Sequence, residues 1–197
     1  LKPDTLETIP LETILDRLMS LNNWIEGICV TGGEPTIHRS LPVLLRQIRE
    51  AGFKTKLDTN GTQPDMLQYL ITEQLVDYVA MDVKAPLKDE AYARCAGVYV
   101  PVSIIQESIK VLLAADVDSE FRCTVTPALL SESEVYILAE GLKALRNEAR
   151  SGRKGGLSLT LQNFNPADPM DPDLKDTKPF ADNIFARMRD AVNRIVS

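Results

Sequence analysis

Glu34, Asp58 and Asp82 stand at the ends of three successive apolar stretches, Lys84 follows Asp82 by two residues, and Arg122 lies inside a fourth stretch. Gly32 and Gly33 come directly before Glu34, so a ligand can approach that main chain without meeting a Cβ. Three carboxylates, an ammonium and a guanidinium around open backbone suit a zwitterionic ligand that carries hydroxyls. Its amino group would face an acid, its carboxylate Lys84, and a ribose Asp58 or Asn60, each through a charge-assisted hydrogen bond. Taken singly, these residues have plainer readings: a loop carboxylate at Glu34, a solvated strand end at Asp82 and Lys84, an internal partner for an acid at Arg122. Their recurrence over four consecutive strands favours one shared site.

The elements that must position them alternate. Residues 25–30 read as a short buried strand, the Gly32-Gly33-Glu34-Pro35 turn follows, and Leu41, Leu44, Leu45 and Ile48 repeat at helical spacing, with Ser40 as N-cap and Gly52 as the stop. Phe53, Thr55 and Leu57 alternate as a strand that runs into Asp58-Thr59-Asn60-Gly61. Asn-Gly often marks a hairpin, but Pro64 and the helical pattern after it argue for a second strand-to-helix turn. Residues 78–83 form the next strand and put Asp82 and Lys84 on one face before Pro86. Helices are expected near 89–96 and over 103–115, a strand over 120–125 with Arg122, Thr124 and Thr126 on its polar face, and a capping box at Ser131-Glu132-Ser133-Glu134. Residues 151–156 read as a loop, 157–163 as a fifth strand and 165–176 as irregular, and a last helix starts at Pro179. An amphipathic helix from about Ile9 to Asn22, with Ile14, Leu15, Leu18 and Leu21, precedes all of this. Such alternation predicts a parallel α/β sheet whose carboxyl-end loops gather Glu34, Asp58, Thr59, Asn60, Asp82, Lys84, Arg122 and Gln162.

The 197 residues suit one domain, shorter than the roughly 250 of a full eight-unit barrel. With 22 basic against 28 acidic side chains the formal charge is −6, and the longest basic run is the patch at 150–154, which argues against nucleic acid. No segment reads as a signal peptide or membrane span, so a cytoplasmic location is expected. Cys29, Cys95 and Cys123 lack metal-binding or redox spacing and read as small buried apolar residues. His38 reads as a surface residue. Asp168, Asp171 and Asp173 fall short of a calcium loop for want of its glycine and bidentate glutamate.

Thr31-Gly32-Gly33-Glu34-Pro35-Thr36, Lys56-Leu57-Asp58-Thr59-Asn60-Gly61 and the segment 77–86 resemble the radical S-adenosylmethionine (SAM) superfamily. Within it the sequence is most similar to activating proteins of anaerobic ribonucleoside-triphosphate reductases, relatives of the pyruvate formate-lyase activating enzymes. The likeness runs from about Ile9 to Pro127, including Phe121-Arg122-Cys123-Thr124-Val125-Thr126-Pro127, and weakens beyond Gln162. It implies a partial (β/α)6-type barrel, with the first strand missing from this chain. The Gly32-Gly33-Glu34-Pro35 turn would bind the methionine amino group of SAM, and Asp58, Thr59 and Asn60 would lie beside its ribose and carboxylate. Asp58, Thr59 and Asp82 would hold a monovalent cation, Lys84 would pair with the carboxylate, Arg122 would serve the same pocket, and Gln162 would be a polar contact from the last strand. In that family a reduced [4Fe-4S] cluster gives an electron to the sulfonium, and the resulting 5'-deoxyadenosyl radical takes hydrogen from a glycine of the partner. That partner would be anaerobic ribonucleotide reductase or another glycyl-radical enzyme, with flavodoxin or ferredoxin as electron donor. The family's Cys-x3-Cys-x2-Cys loop is absent and would precede Leu1, so the resemblance implies an amino-terminally truncated chain, inactive by itself, with no identifiable catalytic residue. The second reading is a cluster-less, non-enzymatic SAM- or nucleoside-binding or interaction module on the same barrel.

Overall fold

A computed structural model describes residues 8–21, 24–149, 157–167, 169 and 171–197. The basic patch at 150–154, the loop at 151–156, Asn22 and Asp168 lie outside the described residues. Five strands, β1 (Gly27–Val30), β2 (Lys54–Thr59), β3 (Tyr78–Asp82), β4 (Asp118–Val125) and β5 (Leu159–Asn163), form one parallel sheet in the order β1-β2-β3-β4-β5. Helices α1 (Leu11–Met19), α2 (Leu41–Glu50), α3 (Pro64–Thr72), α4 (Asp89–Ala96), α5 (Val102–Ala114), α6 (Glu132–Glu148) and α7 (Asp182–Val196) alternate with them. The expected parallel α/β architecture is present.

Strand alternation makes the two faces of the sheet unlike. Leu57, Val79, Met81, Phe121, Cys123, Leu159 and Leu161 point into one apolar core with Leu45, Leu70, Ile109, Leu142 and Met188 of the helices. The other face carries polar rows fixed by register. Cys29, Lys56, Tyr78 and Asp118 form one row. Asp58, Ala80 and Glu120 form the next, then Asp82, Arg122 and Thr160, and last Thr124 beside Gln162. A parallel sheet is normally covered on both faces. Here Asp82 and Lys84 on the polar side remain about one-third exposed, so part of that face is accessible to a ligand.

Several local expectations are met for the anticipated reasons. Ser131 Oγ accepts from the Glu134 amide while the Glu134 carboxylate accepts from the Ser131 amide, the reciprocal cap that starts α6. Pro64 opens α3, and Gly52 follows α2 at φ +91. Three readings need correction. First, β1 is not buried: it lies at the sheet edge with no outer partner among the described residues, so its residues are exposed or half-buried and the Cys29 thiol is exposed. Second, α1 forms as an amphipathic helix but runs from Leu11 to Met19 and does not reach Asn22. Third, α7 starts at Asp182 instead of Pro179. Asn163 holds Phe180, two residues before that start, in a two-way clasp, accepting from its amide at 3.1 Å and donating to its carbonyl at 2.8 Å.

Candidate functional site

The glycine turn leaves β1 with Gly32 at φ +150, a conformation L side chains rarely adopt. No atom lies within 4 Å of where a Cβ would stand on Gly32 or Gly33, so both expose main chain to a cavity of about 270 Å³ that His38 and Leu44 also line. Glu34 then caps a 3-10 turn (Pro35–Ile37) in which Pro35 and Thr36 are buried. One of its oxygens accepts from the Thr36 amide and hydroxyl and, at 2.7 Å, from the Thr59 hydroxyl; the other accepts from the Asn60 amide at 2.6 Å. The carboxylate therefore staples the turn after β1 to the turn after β2. What the glycine turn can present to a ligand is chiefly main chain.

The second turn is shaped for that staple. Asn60 Oδ1 accepts from the Thr62 amide and hydroxyl, a side-chain turn that leaves the Asn60 amide directed at Glu34. Gly61 sits at φ +74, where a Cβ would come 2.0 Å from Met81 Cε, and its carbonyl accepts from the buried Ser108 hydroxyl at 2.7 Å. Thr59, last in β2, is buried on the helix side of the sheet and is committed to Glu34 and the Gly61 amide.

Asp58 faces the polar side, where charges of alternating sign run across three strands. Arg122 Nη1 lies 3.1 Å from Asp58 Oδ2 and its Nε 3.0 Å from Asp82 Oδ1, while Lys84 Nζ lies 3.1 Å from Asp82 Oδ2. Lys56 approaches Asp58 Oδ1 to 3.0 Å, off the direction a hydrogen bond requires, and stands over the Tyr78 ring at 5.8 Å. Burial works against the charge on Asp58, but Lys56 and Arg122 outweigh it and hold its carboxyl below the usual carboxylate range. Burial likewise disfavours the Arg122 cation, and Asp82 and Asp58 outweigh it and raise its pKa. Lys84 lies past the end of β3, yet its side chain returns to Asp82, so the two share a face as expected.

The structure thus brings together Gly32, Gly33, Glu34, Pro35, Thr59 and Asn60 as one cluster, and Asp58, Asp82, Lys84 and Arg122 as another on the adjacent face. Gln162 stands in the next row, 3.3 Å from the Thr124 hydroxyl and outside the charged chain. The three groups expected around a monovalent cation do not converge. Thr59 is on the opposite face from Asp58, and the position between Asp58 and Asp82 is spanned by Arg122, itself the positive charge the two acids require. Lys56 and Thr36 were missed as site residues. Lys56 could have been found from its place two residues before Asp58 on one strand face, and Thr36 from its place two residues after Glu34, within local reach of that carboxylate.

The cysteines do not fit a cluster. Cys29 faces the polar side from β1, Cys95 lies in α4, and Cys123 is buried on the helix side of β4. Partial desolvation on the sheet side, with Asp58 nearby, pushes the Cys29 thiol up although the residue as a whole is exposed, and burial pushes the Cys123 thiol up to about 12, the opposite of what a thiolate ligand needs. Among the described residues no group of three His, Cys, Asp or Glu could hold a metal, and none of their helices is long and apolar enough to cross a membrane.

Comparison with known proteins places this geometry. The model of the Radical SAM superfamily matches residues 2–139. The chain belongs to the radical SAM superfamily. Over 154 residues this radical SAM chain is 30% identical to a provisionally named glycyl-radical enzyme activating enzyme of Methanocaldococcus jannaschii, covering 76% of the chain and 59% of that protein. It is 32% identical over 108 residues to the 7-carboxy-7-deazaguanine synthase of Methanopyrus kandleri, covering 48% and 42%. The chain therefore spans less than two thirds of the length of either relative. Among solved structures, a domain of pyruvate-formate lyase-activating enzyme from Bacteroides vulgatus superposes with a TM-score of 0.66 at 14% identity, over 86% of this chain and 94% of that one. Streptococcus suis SuiB bound to S-adenosylmethionine gives 0.66 at 16%, over 95% and 41%. At such identities the likeness is one of fold, the partial radical SAM barrel.

Proposed function

We propose that this chain is the SAM-binding barrel of a glycyl-radical-enzyme activase, with anaerobic ribonucleotide reductase as its target and flavodoxin or ferredoxin as electron donor. One observation carries the SAM reading: Glu34 locks two strand-end turns together so that the open Gly32-Gly33 main chain stands at the carboxyl end of the sheet that bears Asp58, Arg122, Asp82 and Lys84. Main-chain acceptors suit the methionine amino group, Asp58 and Asn60 a ribose, and Lys84 the methionine carboxylate. Lys84 and Asp82 are each about one-third exposed, so their pairing is weak enough for a ligand carboxylate to compete. When bound, SAM supplies a carbon–sulfur bond at a sulfonium, weakened toward one-electron cleavage. The chain's own part is to bind and orient that molecule and to screen it from water with the apolar wall beside the turn. The three cysteines do not fit a [4Fe-4S] cluster, so no electron-transfer step is assigned to these residues.

Activase is preferred to deazaguanine synthase because the activase-like relative aligns over 76% of the chain and the synthase over 48%. The test is anaerobic incubation of the protein, joined at its amino end to a Cys-x3-Cys-x2-Cys cluster-binding segment because its own cysteines do not converge, with SAM, a reductant, an anaerobic ribonucleotide reductase and the substrate of a 7-carboxy-7-deazaguanine synthase. A glycyl-radical doublet by electron paramagnetic resonance with 5'-deoxyadenosine release supports the activase. Formation of 7-carboxy-7-deazaguanine in place of a glycyl radical overturns it.

A further inference from the structure

We propose that Ser108, a hydroxyl buried in the helix layer, is a positioning residue for the nucleoside half of the ligand. Through the peptide group that joins Gly61 to Thr62 it fixes the Asn60 carboxamide, and so sets how strongly the site distinguishes a ribose from its deoxy analogue. The inference rests on the SAM reading and adds to it a residue that touches no ligand. Ser108 lies in the apolar stripe of α5 among Ile105, Ile109 and Leu112, and like them it is 0% exposed. Packing alone would fill that position with an apolar side chain, because a buried hydroxyl costs free energy unless it finds a partner.

A helical serine commonly donates to the carbonyl one turn back in its own helix. Ser108 Oγ instead donates to the Gly61 carbonyl at 2.7 Å, 47 residues away in sequence. Gly61 stands at φ +74 and is itself buried, so its carbonyl depends on Ser108 in place of water. The carbonyl of Gly61 and the amide of Thr62 belong to one planar peptide group. Its other end is held by Asn60 Oδ1, which accepts from the Thr62 amide at 2.9 Å and from the Thr62 hydroxyl at 2.7 Å. Ser108 and the Asn60 side chain thus grip the same peptide from opposite ends.

The consequence falls on Asn60. Its Oδ1 is committed to Thr62 and its main-chain amide to Glu34 at 2.6 Å, whereas its Nδ2 makes no hydrogen bond among the described residues, and Asn60 is half-buried. The carboxamide therefore offers a ligand donors only, in a direction set by the peptide it holds. Asp58, an ionised carboxylate already paired with Arg122, can only accept. The two residues take opposite roles toward the hydroxyls of a ribose, Asn60 donating to a hydroxyl oxygen and Asp58 accepting a hydroxyl proton. Loss of the Ser108 hydroxyl leaves the Gly61 carbonyl buried without a donor and frees the peptide to rotate, so the Asn60 donor loses its fixed direction.

The test measures the affinity of the 197-residue protein for SAM and for the 2',3'-dideoxy analogue of SAM, by titration of amide resonances, in wild type, Ser108→Ala, Asn60→Ala and the double variant. Ser108→Ala should lose about three- to tenfold in affinity for SAM, the worth of one hydrogen bond, and little for the analogue, and it should add nothing to the loss in Asn60→Ala. In the ligand-free protein the Thr62 amide should exchange faster in Ser108→Ala than in wild type. Ile109→Val, which removes one methyl from the same buried stripe, should leave both affinities unchanged. Thermal melts keep every titration below the unfolding of each variant. Should Ser108→Ala fail to fold, Ser108→Cys, a weaker donor of similar shape, is read in the same way. Equal losses for SAM and the analogue, a loss that adds to that of Asn60→Ala, or an unchanged SAM affinity overturns the role of Ser108. A wild type that does not bind SAM overturns the SAM reading and this inference with it, so the wild-type titration tells the two failures apart.

Discussion

Arg122→Met tests whether the charged row is a connected unit. The substitution keeps an apolar stem in the sheet but removes the cation between Asp58 and Asp82. Its two contacts are 3.1 and 3.0 Å long, and the side chains are 16% exposed for Arg122, 19% for Asp58 and 33% for Asp82. At an effective dielectric of about 20, each contact is worth roughly 5 kcal/mol before desolvation is subtracted. Asp58 keeps Lys56 and Asp82 keeps Lys84, so losing the cation the two acids share should cost a net of about 2 to 4 kcal/mol, discounted for partial exposure. For a chain of this size that is a melting-temperature drop of roughly 5 to 12 °C. The pH dependence gives a second check. The folded-state pKa of Asp58 is depressed, so its contribution is fully present above the unfolded value of about 3.9 and is lost as pH falls through the folded value. Urea unfolding followed by circular dichroism at pH 7 and along an acid series should show the gap between wild type and variant closing below about pH 4. A cost under about 0.5 kcal/mol at pH 7, or one unchanged at acid pH, would show that the row is only a set of solvated surface ions.

Other consequences follow from the two turns and the thiols. Glu34→Gln leaves one former acceptor position opposite an N–H donor, so we expect a loss of about 1.5 to 3 kcal/mol in chemical denaturation and faster amide exchange at Asn60. Gly61→Ala should cost about 2 to 3 kcal/mol, combining strain at positive φ with displacement of Met81, and pairing it with Met81→Ala should relieve the clash but not the strain; equal stability of Gly61→Ala and wild type would refute the turn geometry. Anaerobic treatment of the 197-residue protein with iron and sulfide should give no stoichiometric [4Fe-4S] absorption, since Cys29, Cys95 and Cys123 do not converge. One full cluster per chain would contradict this.

Much of the architecture was legible because each element carries its own boundary signals. Helical spacing marked α2 after Ser40, Pro64 and the spacing after it separated helix from hairpin, and the capping box marked the start of α6. What escaped depends on partners distant in sequence. Residues 25–30 have the apolar run of a buried strand, but whether it is covered depends on its neighbours, and at an edge it is not. Glu34 reads as a ligand acid only in the company of the other strand-end charges, and the approach of β2 shows that Thr59 and Asn60 occupy it instead. Alternation placed Arg122 on a polar face, whereas its clasp on Asp58 and Asp82 follows from two inter-strand registers no local pattern encodes. The Asn163 clasp that delays α7 joins residues 17 apart and overrides Pro179 as a start signal.

SAM binding at the carboxyl end of the sheet is the central claim, and titration of the isotopically labelled protein with SAM, followed by amide resonances in solution, tests it most directly. The account predicts weak, saturable binding that moves the Gly32, Gly33, Asn60, Lys84 and Arg122 amides and leaves those of Gly27 and Lys54, at the opposite strand ends, in place. Lys84→Met should fold normally and weaken that binding by about 1.5 to 3 kcal/mol, the range for a hydrogen bond to a charged group. Shifts confined to the amino ends of the strands, or an affinity unchanged by Lys84→Met, would contradict it.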